Sequence, residues 1–170
     1  MITMINFLIL TGLLVLAPSA LLSQSLFSGQ TVLYTDPTQG YRLRVPVEFQ
    51  QTAAGSWIGP RLPTPTTIYV HTESMPNAAT AFSTHLKKYK DDPLFTNVTP
   101  VSVRNGLGFR AEEVIRPGKA PEDLHRWFLF VYANERVYTV GMSGPLRAFQ
   151  QGILPPIYTG VMQSFEPLRP

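Results

Sequence analysis

Cysteine is absent from all 170 residues, which removes a disulfide framework, a thiolate nucleophile and any cysteine-based zinc or iron-sulfur site. Stability must therefore come from packing, and an exported protein of this kind suits a bacterial envelope better than a small secreted eukaryotic domain. Charge is scarce as well, at 15% of residues, and none of it falls in residues 1–25. The net charge of +3 is carried without a dense basic stripe. Lys87, Lys88 and Lys90 form the only tight run, which suits a solvated helix face and argues against a nucleic-acid partner. Catalytic signatures are missing too: there is no Gly-x-Ser-x-Gly elbow and no His-Glu-x-x-His helix. Gly106-Leu107-Gly108 precedes an expected strand, whereas a phosphate loop opens a helix. The chain is accordingly expected to be neither an enzyme nor a cofactor carrier.

What is present begins with Ile5 to Leu22, almost continuously apolar and followed by small polar residues. This pattern reads as the apolar region of an export signal, with Ser23 and Ser25 placed for cleavage before Leu26 and Pro18 breaking the helix upstream. The stretch is also only a little short of the ~20 residues that span a bilayer, so retention as a membrane anchor stays open. In both cases residues 1–25 are a signal peptide or anchor, residues 26–170 form one domain, and that domain is extracytoplasmic, periplasmic or secreted. Contact with a membrane is expected only through the uncleaved segment.

With 44% hydrophobic residues, a body of roughly 145 residues can bury one core. Thr31 to Tyr34 and Tyr41 to Val45 read as two strands joined by Asp36-Pro37-Thr38-Gln39-Gly40, the second lying near a sheet edge with Tyr41, Leu43 and Val45 inward. Ala53 to Thr67 holds Gly55, Gly59, Pro60, Pro63 and Pro65, which predicts a long surface loop. Trp57, Ile58 and Arg61 in it are the candidate partner-binding residues; the alternative is that Trp57 and Ile58 fold back on the core. Thr67 to Glu73 predicts a strand, and Asn77 caps a helix whose apolar positions are Ala78, Ala81, Phe82, Leu86 and Tyr89. Four strands follow at 98–104, 109–116, 125–133 and 136–143, with the doubly apolar run Trp127 to Tyr132 placed at the sheet centre. Pro145 to Phe165 has helical spacing divided by Gly152, Pro155 and Pro156, giving two pieces, the prolines opening the second.

Few side chains suggest chemistry. His71 and Glu73 share a strand face and are weak metal-ligand candidates, with His125 or His85 as a third, although no ligand-spacing motif supports them. Glu112 and Glu113 are adjacent on a strand and so point to opposite faces, which spoils them as an acid-base pair. Glu113 falls on an apolar face, where a bulge or a cation such as Arg126 must accommodate it.

Several local signatures resemble the Mog1/PsbP/DcrB-like superfamily: the aromatic-preceded Asp36-Pro37 turn leading to Gly40-Tyr41, then Pro46 with Phe49 three residues on, and a closing Gln163-Ser164-Phe165. The resemblance implies an α+β fold, a single-domain α/β/α sandwich around a central, mainly antiparallel sheet. It also implies a non-catalytic binding or accessory protein whose partner is another protein of the cell envelope. The lipoprotein cysteine of many bacterial relatives is missing between Leu21 and Ser25, so anchoring through it is excluded. The rival expectation is a small-ligand carrier or hydrolase with a pocket beneath residues 53–67, which would require polar groups to converge around His71, Glu73 or His125.

Overall fold

A computed structural model describes residues 26–62 and 64–169; the segment 1–25, expected to be a signal peptide or membrane anchor, lies outside the described residues. Turn chemistry sets the frame. Asn134 and Glu135 both adopt positive φ, 52° and 55°, the backbone of a two-residue hairpin whose twist matches its strands. They join β8 (Leu124–Ala133) to β9 (Arg136–Pro145) in unbroken register from Leu124↔Pro145 to Ala133↔Arg136. Asn105, at φ 61°, turns the chain between β6 (Phe95–Val103) and β7 (Gly106–Glu113). With β3 (Gln50–Ala53), β4 (Ser56–Arg61) and β5 (Pro65–Ser74) these strands form a seven-stranded antiparallel sheet, ordered β3-β4-β5-β9-β8-β7-β6.

The interior strands are apolar on both faces because both faces are covered. On β8, Phe128, Phe130 and Tyr132 meet α1 (Ala78–Asp91), whose Phe82, Leu86 and Tyr89 pack among Phe95, Phe109 and Ala111. Leu129 and Val131 point the other way, into the larger core beneath α2 (Leu146–Gln150) and α3 (Leu154–Ser164). The expected division of the C-terminal region into two helices is thus observed, with prolines in the first turn of α3, where the missing N–H has no helical partner to lose. Asn77 does sit at the N-cap of α1, but its side chain makes no capping bond; its contribution is a left-handed backbone at φ 63°, which asparagine tolerates better than most residues.

Two expectations need correction. The segment 53–67 is not a surface loop: most of it is the β4–β5 hairpin. Gly55, at φ 67°, forms the β3–β4 turn, and a Cβ on Gly59 would stand 2.6 Å from the ring of Phe49. Pro60 falls within an irregularity of register between Ile58 and Arg61. These residues mark a turn, a close approach and a bulge, the places where strands accept them. The strand Tyr41–Pro46 (β2) is also not near an edge. It is the middle member of a second sheet, between β1 (Thr31–Asp36) and β10 (Glu166–Pro167). Its Tyr41, Leu43 and Val45 enter the larger core as expected, and Tyr41 stacks on Phe165 with ring centroids 5.6 Å apart. Glu166 locks this arrangement: it accepts from Arg42 Nη2 at 2.8 Å and from Asn105 Nδ2 at 3.1 Å. The molecule is therefore layered, with α1 on one face of the large sheet and α2, α3 and the small sheet on the other.

Candidate functional site

The outer strands differ in how they meet solvent. A row of unpaired backbone N–H and C=O groups invites another strand, and proteins usually blunt it with proline, lysine, bulges or shortness. β6 carries Pro100 and a register irregularity between Thr96 and Thr99, with Asn97 at φ 53°. β3 has four residues and an irregularity of its own. β1 has none of these devices: its six residues, TVLYTD, pair with β2 in continuous register and have no partner strand on the other side among the described residues.

Beside that free edge lies a groove of about 250 Å³, lined by Val32, Leu33, Tyr34, Val47, Phe49 and Trp57. Val32 and Leu33 are 58% and 48% exposed, unusual for large aliphatics on neighbouring positions of a strand. The floor is rigid. Tyr34 meets Trp57 edge to face at 4.9 Å, a geometry the ring quadrupoles favour, and Asp36 holds the following turn through Gln39 N–H at 2.8 Å. The groove thus joins main-chain hydrogen-bonding groups to an apolar trough, the two elements that strand addition uses.

The three residues singled out from the sequence do not form one patch. Trp57 is 4% exposed and Ile58 45%, because adjacent strand residues face opposite ways. Trp57 supports the groove from beneath, Ile58 looks out on the other face, opposite Thr67, and Arg61 lies at the far end opposite Pro65. The β1 edge itself was not singled out. The available signal was an alternating strand free of proline, glycine and lysine.

The polar candidates are dispersed. His71 Nε2 and Glu73 Oε1 are 2.9 Å apart on the outside of the sheet. His85, on α1, pairs through Nδ1 with the Tyr132 hydroxyl at 3.0 Å. His125 is buried on the opposite face of the sheet from His71, edge-on to Phe149 at 4.7 Å. Its pKa is lowered, first by burial and then by the charge of Lys119. No group of three or more His, Asp or Glu side chains comes together among the described residues. Glu113 is met by cations, Lys119 Nζ at 3.3 Å and Arg126 Nη1 at 3.6 Å, so the Arg126 pairing is present and Lys119 joins it. Near the β3–β4 turn a polar cavity of about 160 Å³ is lined by Asp36, Tyr41, His71 and Thr72 among others. The hydroxyls of Tyr41 and Thr72 are buried there without hydrogen-bond partners among the described residues. Of the residues expected to converge beneath 53–67, only His71 reaches this cavity.

No family model and no curated protein matches the sequence. Solved structures do match in shape. LpqN, involved in cell envelope biogenesis of Mycobacterium tuberculosis, superposes with a TM-score of 0.54 at 10% identity, over 82% of this chain and 91% of that one. Cyanobacterial PsbP (CyanoP) from Synechocystis sp. PCC 6803 does so with a TM-score of 0.54 at 13% identity, over 81% and 92%. A protein from Bacteroides thetaiotaomicron VPI-5482 matches with a TM-score of 0.54 at 10% identity, over 81% of this chain and 48% of its own. The chain shares the α+β fold of LpqN and cyanobacterial PsbP, the fold that the resemblance in the sequence implied, and at these identities the likeness concerns the fold alone.

Proposed function

We propose that this Mog1/PsbP/DcrB-like chain is a non-catalytic, extracytoplasmic accessory protein that binds another protein of the cell envelope by strand addition at β1. The observation that carries the proposal is the unguarded β1 edge beside an apolar groove, in a molecule whose other long outer strand is guarded. The occupant is an extended segment whose main chain pairs with Thr31–Asp36 and whose alternate apolar side chains enter the groove over Tyr34 and Trp57. Arg44, opposite Leu33 on the solvent face, makes no ion pair with any described residue, which favours an acidic residue in that segment. The absence of catalytic motifs and the placement of His71 and His125 on opposite faces of the sheet support a binding role over hydrolysis. The envelope setting draws on the signal peptide or anchor expected at residues 1–25 and on the involvement of LpqN in cell envelope biogenesis.

A photo-crosslinking residue placed at Thr35 in the native host tests this. The expected result is one discrete adduct with an envelope protein, lost when Leu33→Lys is added, and no adduct from the same probe at Ser102 on β6. Absence of an adduct at Thr35, persistence with Leu33→Lys, or equal labelling at Ser102 overturns the proposal.

A further inference from the structure

We propose that a chain keeping residues 1–25 as an anchor lays one end of its sandwich on the bilayer through Leu94, Ile115 and Leu124. This rests on the anchor alternative for that segment, extends membrane contact from the segment to the body, and is independent of strand addition at β1. Three residues, Ser23 to Ser25, separate the apolar stretch from Leu26, a reach of about 14 Å even when fully extended. From Leu26 onward no slack remains. Leu26 packs on the larger core and Phe27 is buried in it, with its ring stacked on Phe49 at 6.2 Å. Ser28 N–H donates to Glu48 Oε1 at 2.6 Å, and Val47 N–H to Gln30 O at 3.1 Å. A membrane holding the apolar stretch therefore also holds, close to its surface, the end of the body from which Leu26 emerges.

Topology identifies that end. β1 starts at Thr31 and runs to Asp36, where the turn at 36–40 meets the β8–β9 hairpin: Arg136 Nη1 donates to Gln39 O at 2.6 Å and the Tyr138 hydroxyl to Gly40 O at 3.1 Å. Leu26 thus emerges at the end opposite that hairpin, where β6 and β8 start and β7 and β9 finish. Leu154, in the first turn of α3, joins the two layers there by packing against Gly144. Leu94 precedes β6, Ile115 follows β7 and Leu124 opens β8, and Val114 N–H donates to Leu94 O at 2.9 Å. These three aliphatics are 39–48% exposed, whereas at the hairpin end Leu107 is the one comparable side chain among the described residues. Single apolar side chains on a surface are ordinary, but a group gathered at one end marks an interaction site. Charges at this end have both signs, and Arg147 pairs with Glu122 at 3.1 Å. The contact is therefore apolar, and a zwitterionic lipid surface satisfies it.

The absence of cysteine allows single nitroxide labels to be placed on the full chain reconstituted with phosphatidylcholine vesicles. Labels on Leu94→Cys, Ile115→Cys and Leu124→Cys are expected to collide more with dissolved oxygen, and less with a water-soluble nickel complex, than a label on Leu107→Cys. Leu94→Glu combined with Ile115→Glu, substitutions at exposed positions that the fold tolerates, should return the Leu124→Cys label to water while the chain still floats with the vesicles. Labels at 94, 115 and 124 as wet as the one at 107 would overturn the proposal, turn that end toward a protein occupant, and leave the anchor in place. A Leu124→Cys label indifferent to the two glutamates would overturn it as well, since the tether alone would then account for the closeness. A chain that does not float with the vesicles overturns the anchor and the proposal together.

Discussion

Trp57 and Ile58 are joined by one peptide bond, yet one is enclosed and the other open, and that step separates two differently finished faces of one sheet. The Trp57 face is roofed along its length by α2, α3 and the β1-β2-β10 sheet, and Leu43, Ile68, Val140 and Leu154 beneath that roof have no solvent exposure. The Ile58 face is covered by α1, which packs on β6, β7 and β8. Beyond it Ser56, Ile58, Thr67, Tyr69 and His71 stay partly or fully exposed. The strands alternate equally well on both sides, so the reach of the second layer decides what is buried.

The sharpest way to break this comparison is to truncate both neighbours. Trp57→Ala is expected to cost about 3–5 kcal/mol of unfolding free energy through cavity formation, and Ile58→Ala to stay within about 0.5 kcal/mol, both read by chemical denaturation. Equal losses would mean that the open face is closed in solution.

A smaller contrast lies on β9, where the two glycines occupy opposite faces. A Cβ at Gly144 would stand 2.4 Å from Cδ1 of the fully buried Leu154, so Gly144→Ala should overpack the roofed core by about 1–3 kcal/mol. A Cβ at Gly141 would strike the far end of the Tyr69 ring at 2.0 Å, but that ring borders open space and can swing outward. Gly141→Ala should therefore cost less in the same denaturation series.

The smallest effect concerns His125. Burial, with Lys119 second, holds His125 neutral by lowering its pKa. Because the folded value lies below the unfolded one of about 6.5, the unfolded chain binds more protons between them. The contribution of neutral His125 is thus full above that value and is lost as pH falls toward the folded one. The melting temperature should drop on acidification from pH 7, and His125→Phe, which keeps a ring against Phe149, should flatten that drop.

Local signals in the sequence carried much of this fold. The helix beginning at Ala78 and the paired prolines of α3 act over a few residues and are readable there. Glu113 was legible for a related reason, since a carboxylate on an apolar face demands a cation, and Arg126 supplies one. The hairpin at 53–67 is not legible in the sequence, because Gly59 and Pro60 have the character of breakers and only Phe49 and the bulge, brought near in space, explain them. The middle position of β2 depends on Glu166, 124 residues away from its partner Arg42, a distance at which periodicity is silent. The candidate site was hardest to see, because an unguarded edge is the absence of a protecting residue and requires knowing which strand lies outermost.

The bond between Arg42 and Glu166 has a consequence in time. A ribosome delivers β1 and β2 near the start of the chain, but the strand that completes their sheet follows more than a hundred residues later, so β2 must wait with one side unpaired while the large sheet assembles. Contacts between such distant segments form slowly, and unpaired strands in the interval are prone to wrong partners. The polypeptide therefore passes through a period in which β1 and β2 have only each other and the far side of β2 is open, when a companion protein that holds extended chains would matter most.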